Sequence, residues 1–362
     1  MSEKDDIKSL LNFVAEIAGD GFLKIEEDFG NGFVRLKLAE ADRRQAQHDI
    51  RGVEDIAIEL LRNSRDAGSN VIFFATSKEQ SEVRHIAVID DGEGIPRQLH
   101  EKVFEPRVTS RLNRVVEDAY GVHGRGMALY AIREASRHAA IRLSAPRKGC
   151  AAKVIVDLKE LREKKDQSTI PRAKKRGGEI VLVGPHNLPR TVLEFALADP
   201  KIEIYYGSPA EILSTMYWLS RPLAEGRSVG EMMVNPDIKF WQCVGCLKDA
   251  PSLSKFAEDR FGLSVSERNA GRIIRREIEP LPTVLNLAGM GNKKGGTIPK
   301  LEGELPIANR IGKKDVESLA AAIANAFCDI GDKYYLMAES LDIKREKDAL
   351  KITIKLADRG SI

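Results

Sequence analysis

Three short stretches constrain this chain more than any bulk property does: ELLRNSRDAG at 59–68, VIDDGEGIP at 88–96 and YGVHGRGMALYAI at 120–132. Each joins a run of apolar periodicity to a glycine-bearing turn. Glycine clusters end regular elements, so the order reads helix, then strand and turn, then turn and helix.

The periodicity around them supplies the rest of a fold. Residues 53–66 place Val53, Ile56, Ala57, Leu60 and Leu61 at helical spacing, with Asp55, Glu59 and Asn63 beside them. NVIFFATS and HIAVIDD read as strands, and the glycines of DDGEG stop the second in a turn. MALYAIREAS reads as a helix, while AAIRLSAP, AAKVIVDL and GEIVLVG read as further strands. The expected class is α+β, with helices packed on one face of a mixed sheet.

At 362 residues the chain exceeds the size of one ordinary core, so two or three domains are expected. With 43% hydrophobic and 31% charged residues it has the make-up of a soluble globular protein. It has no run of about 18 apolar residues, and the start MSEKDDIKSL is polar, so no membrane partner and a cytoplasmic location are expected. Four cysteines, Cys150, Cys243, Cys246 and Cys328, make a poor disulfide framework, and reduced thiols are expected.

The chemistry follows from the spacing. Glu59 and Asn63 lie four apart, so both leave one face of a helix. Asn63 offers a neutral oxygen suited to a hard magnesium ion, and an ionised Glu59 can deprotonate a water for attack on a terminal phosphate. Asp90 stands where the HIAVI strand ends and can accept from an exocyclic amine, which adenine carries and guanine does not. Gly92 and Gly94 permit positive φ and close backbone approach to a base. Gly121, Gly124 and Gly126 precede an apolar helix and can turn N–H groups towards phosphate oxygens. This is neither a Rossmann fingerprint nor a Walker loop, because the expected acid and the G-K-[ST] ending are missing. Each motif alone also fits an exposed helix face or a plain turn. Together they point to ATP and Mg2+.

ELLRNSRDAG, DDGEGIP and GVHGRGMAL resemble the nucleotide-binding boxes of the GHKL ATPases, the superfamily of gyrase, the heat-shock chaperone ATPases, histidine kinases and MutL. The resemblance implies a Bergerat-type sandwich of helices on a mixed sheet. ELxxNSxDAG sits on the MutL and topoisomerase side, and no phosphoacceptor-histidine helix precedes it. Further along, TVLEFALADPKIEIYYGSPAEI at 191–212 and SLSKFAEDRFGLSVSERNAGRII at 252–274 are similar to the B subunit of topoisomerase VI, a type IIB enzyme. The stretch at 252–274 resembles that subunit's helix-two-turns-helix module.

The resemblance implies Glu59 as general base, Asn63 as magnesium ligand and Asp90 as adenine acceptor. It implies a mobile lid at about 97–126, with Thr109, Ser110 and Arg111 near the phosphates. The phosphate-facing turn would comprise Gly121, Val122, His123, Gly124, Arg125, Gly126 and Met127. The implied domains are an ATPase at 1–215, the helical module at 216–290 and a reduced transducer-like segment at 291–362. The implied partners are a second copy on ATP binding, a topoisomerase VI A-like cleaving subunit and duplex DNA. The alternative is a stand-alone ATPase of MutL or MORC type, without strand passage.

The family's large transducer, with its switch lysine, has little room here, because fewer than ninety residues follow Ile274. LNLAGMGNKKGGTIPKLEGELPI reads as loop, KKDVESLAAAIANAFCDIGDKYYLMAESL as helix and ALKITIKLA as strand, and neither Lys293 nor Lys294 can be assigned as the switch. The basic residues at 132–148 and the run REKKDQSTIPRAKKR read first as a solvated face and a linker, with DNA contact as the other reading. Cys243 and Cys246 form one C-x-x-C without a second pair, so incidental thiols are expected over zinc, and Phe240 and Trp241 are expected in the core.

Overall fold

The computed structural model describes residues 25–30, 32–36, 49–80, 82–110, 116–118, 121–123, 126–176, 179–290, 313–334, 336–345 and 350–358. The chain divides into two compact units, residues 1–298 and 299–362.

The first unit is organised by a five-stranded sheet. Its strands are β3 (Val71–Glu79), β4 (Val83–Asp90), β8 (His138–Ser144), β9 (Cys150–Asp157) and β12 (Glu203–Gly207), in the order β12-β3-β4-β9-β8. β12 runs parallel to β3 and every other pairing is antiparallel. Side chains alternate across a strand, and here both sets are buried. Ile72, Phe74, Ile86, Val88, Val154 and Val156 enter one core. Phe73, Ala75, Ala87, Ile89, Ala151 and Tyr205 enter another. The sheet is thus covered on both faces, not the one expected. The unbroken apolar runs VIFFA and IAVI are the sequence form of such two-sided burial.

On the first face lie α1 (Val53–Asp66), α2 (Ala128–Ala135) and α3 (Leu188–Ala198). α1 buries the expected stripe of Val53, Ile56, Ala57, Leu60 and Leu61. Asp55 accepts from the backbone N–H groups of Arg51 and Gly52 at 2.8 and 3.0 Å, which satisfies donors that a helix start leaves open. Gly68, at φ +73°, ends the turn that follows. α3 starts at Asn187, whose side chain accepts from the Arg190 N–H at 3.0 Å.

On the second face lie α4 (Pro209–Ala224), α5 (Val229–Val234), α6 (Ala250–Phe256) and α7 (Glu267–Ile274). A helical turn at 240–246 brings Trp241 to 5.0 Å from Phe73, which itself stacks on Tyr205 at 5.3 Å. The Trp218 indole donates to the Ile273 carbonyl at 3.1 Å. The segment expected as a helical module therefore shares a core with the sheet and lies within the first unit. α6 continues through a wider turn to Gly262 at φ +66°, and α7 follows, capped by Ser266. α8 (Val284–Leu287) is one short turn packed near α3.

Among the described residues of this unit, three small antiparallel assemblies accompany the central sheet. β1 (Ile25–Gly30), β2 (Phe33–Leu36) and β5 (Val108–Thr109) form one sheet, and β6 (Val116–Asp118) pairs with β7 (Gly121–His123). β10 (Arg172–Arg176) pairs with β11 (Glu179–Val183), from Arg172 opposite Val183 to Arg176 opposite Glu179. The run expected as a linker is thus a strand at 172–176, because Glu179–Val183 offers it a ladder. Its preceding loop is docked as well. Glu54, in the first turn of α1, accepts from the Lys164 N–H at 3.0 Å and from Gln167 Nε2 at 2.7 Å. Part of the basic stretch 132–148 is also engaged internally. Arg142 donates to the carbonyls of Glu258 and Asp259 at 3.3 Å, and Lys148 to that of Ile238 at 2.9 Å.

The second unit contains α9 (Lys313–Tyr334) and a hairpin of β13 (Leu336–Arg345) and β14 (Leu350–Asp358). The helix expected to run on to Leu341 stops at Tyr334. β13 pairs along β14, with Leu341 opposite Ile354 and Ile343 opposite Ile352, so a ladder replaces the helical alternative. Lys293 and Lys294 lie outside the described residues. Among the described residues no helix is long and apolar enough to cross a membrane, and the four cysteines are free thiols.

Candidate active site

Between α1 and the first face of the sheet lies a cavity of about 630 Å³. α1 supplies Glu59, Arg62, Asn63 and Asp66; the sheet supplies Val88, Asp90, Ile141, Cys150 and Ala152. Glu93, Gly94, Ile95 and Pro96 form one rim, and Thr109, Ser110 and Gly126 form another.

Asp90 is the last residue of β4 and is 6% exposed. Its Oδ2 accepts from the Ser64 hydroxyl at 2.9 Å and its Oδ1 from the Gly92 N–H at 2.9 Å. Burial pushes its carboxyl above the usual range, while the Gly92 amide and the Ser64 hydroxyl pull it back down. Both oxygens are thereby fixed in direction while a carboxylate's further lone pairs can meet a ligand donor. The neighbouring Asp91 plays a structural part, since its Oδ1 accepts from the Asn70 and Val71 N–H groups at 2.7 and 2.9 Å and anchors the start of β3.

The glycines after Asp90 serve the protein's own packing. A Cβ on Gly94, at φ +73°, would stand 2.1 Å from the Ala145 carbonyl oxygen. Gly92 is not in the left-handed region; its Cβ would meet Ser69 Oγ at 2.7 Å and Ala67 at 2.8 Å. It stands behind the cavity wall and does not line it. The loop is further fixed by the Ile95 N–H, which donates to Ser144 Oγ at 2.7 Å, and by the Gly149 N–H, which donates to the Gly92 carbonyl at 3.1 Å.

On the opposite wall, Glu59 and Asn63 face the cavity one turn apart. Arg62 Nη1 donates to Glu59 Oε1 at 2.5 Å, with the two side chains 5% and 18% exposed. The buried Asn63 Nδ2 has no hydrogen-bond partner among the described residues. Such an amide costs free energy unless a ligand or solvent completes it, and its O and N can exchange places by a flip. Asn63 thus fits a magnesium ion, which takes few protein oxygens and completes its shell with water and phosphate. Among the described residues no cluster of three His, Cys, Asp or Glu could hold a metal.

The third motif is only partly brought to the cavity. Gly126, at φ +70°, lines it, where a Cβ would meet Arg107 and Val108 backbone at 3.0 Å. Gly121, Val122 and His123 are strand backbone in β7 and not a turn at a helix start, because they pair with β6 from Asp118 to Val116. Met127 sends its side chain into the first core, and its carbonyl accepts from the Ala131 N–H at 2.8 Å. Arg111, Gly124 and Arg125 lie outside the described residues. Sequence reasoning missed Arg62, Ser64 and Cys150. Ser64 follows Asn63 within the motif and was open to notice. Cys150 reaches the site only because β9 pairs it with Asp90.

Residues 48–160 match the family described as histidine kinase-, DNA gyrase B- and HSP90-like ATPase. The region is a GHKL-type ATPase domain. It contains every element that walls the cavity from Glu59 to Ala152. The chain is also similar to the DNA mismatch repair protein MutL of two strains of Thermus thermophilus, 38% identical over 88 residues. That stretch is 24% of this chain and 15% of the MutL chain, so the likeness concerns a small part of that protein.

Proposed function

We propose that this chain binds ATP with magnesium in the cavity beneath α1 and hydrolyses it, using the bound nucleotide to control self-association. The observation that carries this reading is the meeting of Glu59, Asn63 and Asp90 in one cavity inside the ATPase domain.

In this reading the adenine amine donates to Asp90 at the cavity floor, against Val88, Ile141 and Ala152. Asn63 holds the magnesium ion, whose positive charge screens the phosphates. Glu59 takes a proton from a water as the water oxygen attacks the terminal phosphorus. The bond from that phosphorus to the bridging oxygen breaks, and its electron pair leaves with ADP. Thr109 and Ser110 lie on the rim where the phosphates would pass, and a lid at about 97–126 would close over them.

Two outputs of this chemistry differ in class. One is a clamp of topoisomerase VI B type, dimerising on ATP and acting on duplex DNA with a separate cleaving subunit; the helix pair at 250–274 supports it. The other is a stand-alone ATPase of MutL or MORC type. The similarity to MutL, which covers 24% of this chain, favours the second.

The test is turnover and self-association of the wild type and Glu59→Gln. The expected result is a fall in hydrolysis of about 10²- to 10⁴-fold, with ATP binding retained and the dimer persisting longer. Unchanged turnover in the variant sinks the reading. ATP-dependent supercoil relaxation when an A-like subunit is added would select the first output; turnover without relaxation would select the second.

A further inference from the structure

We infer that Arg62 is a positioning residue for Glu59, holding the carboxylate ionised and in one direction when the nucleotide arrives. The inference rests on the reading above, in which Glu59 is the base.

Three observations carry it. First, Arg62 reaches back three residues on α1 to Glu59 Oε1, and the guanidinium itself is nearly out of solvent. A rotamer-rich side chain held there is ordered by packing as well as by charge. Second, the ion pair lies in the cavity wall and not elsewhere along the helix. Among the described residues lining the cavity, Arg62 and Arg147 are the cations, and of the two only Arg62 is buried. Third, the remaining ionisable acids of the wall, Asp66, Asp90 and Glu93, share the sign of Glu59. A triphosphate adds negative charge that one magnesium ion would offset only in part, and like charge drives a carboxylate to take up a proton. A protonated Glu59 cannot accept one from water. The guanidinium, which stays charged at any working pH, opposes that uptake where solvent screening is weakest.

A purely structural ion pair would behave differently. Breaking it would lower stability without separating chemistry from binding. A phosphate ligand would differ again, since its loss would weaken the nucleotide complex.

The experiment uses the full chain with Arg62→Ala, Arg62→Lys and Glu59→Gln beside the wild type. It measures turnover at saturating ATP and the Kd of a non-hydrolysable ATP analogue. For Arg62→Ala the expected kcat falls about tenfold to a hundredfold, a share of what a positioned base contributes, while the analogue Kd moves less than about threefold. Lysine keeps the charge but not the planar fork, so Arg62→Lys should lie between the two. Guanidinium ion at roughly 50 mM should restore part of the Arg62→Ala activity by refilling the vacated space, and potassium chloride of equal ionic strength should not.

Unchanged kcat in both Arg62 variants overturns the inference. So does a Kd that weakens more than about tenfold without guanidinium rescue, which would make Arg62 a phosphate ligand. If Arg62→Ala does not fold by circular dichroism, Arg62→Lys decides alone: wild-type kcat with its fork removed overturns the role. Turnover that survives Glu59→Gln removes the base reading and this inference together. Turnover lost in Glu59→Gln but intact in Arg62→Ala overturns this one only.

Discussion

The two faces of the central sheet are built from the same strands and do opposite things. On the second face, Phe73, Tyr205, Trp218, Trp241 and Phe261 fill the space between sheet and helices. On the first face, small side chains at Ala67 and Ala152 and the bare backbone of Gly94 and Gly126 border an open cavity below α1. Both faces hold a packed core, and the first leaves room for a ligand only where Glu59 and Asn63 face the sheet.

The severest challenge to that division of labour is to hollow the filled face. Phe73 is fully buried between Tyr205 and Trp241. Phe73→Ala should cost about 3–5 kcal/mol, read from denaturant unfolding, while whatever folded protein remains binds an ATP analogue normally. A comparable loss of affinity in the folded fraction would show that the faces are not separable.

Next in size is the open face's own backbone. Gly94→Ala places a Cβ 2.1 Å from the Ala145 oxygen at a φ of +73°, so the loop must shift at a cost of about 1–3 kcal/mol. Nucleotide affinity by calorimetry should fall with it, because Asp90 and Ile95 flank the same turn. Normal affinity in a well-folded variant would contradict the fixed-loop description.

Ser64→Ala is gentler. It removes the hydroxyl that donates to Asp90, worth about 1 kcal/mol, or roughly fivefold in the ATP Kd. The smallest effect on stability concerns Asp90 itself. Burial raises its carboxyl in the folded state, so the fold favours the protonated form. That contribution is full below the unfolded value near 3.8 and is lost as pH rises through the higher folded value. At neutral pH the ionised Asp90 is therefore a cost to folding. Asp90→Asn should melt slightly higher than wild type at pH 7, with the advantage vanishing towards pH 4, while losing ATP binding. A lower melting point at pH 7 would refute the sign.

Much of the open face was legible in the sequence, and much of the filled face was not. The α1 stripe, the strand ending at Asp90 and the Glu59–Asn63 spacing all follow from local periodicity, which one window of residues reveals. The second covering layer did not, since alternate apolar residues within VIFFA cannot say what lies across the sheet. The strand at Arg172–Arg176 was hidden for the same reason: a basic pentapeptide becomes a strand only when a ladder partner is present. Leu336–Arg345 failed in the opposite way, because LMAESL suits a helix until ALKITIKLA claims it. Within the site, Asn63 was found by its spacing from Glu59, whereas Cys150 needed the register of β9 against β4.

That register also bears on how this chain can change over generations. Along β9, Ala152 lines the cavity, while its neighbour Lys153 points through the other side and donates to the Gly262 carbonyl beside Glu258. One residue inserted between Cys150 and Ala152 would exchange the two, putting an ammonium in the cavity wall and a methyl where the Gly262 carbonyl meets a donor. Letters along this strand can drift within their size and polarity, but the count of residues cannot. Insertions and deletions should be purged here and accumulate in surface loops.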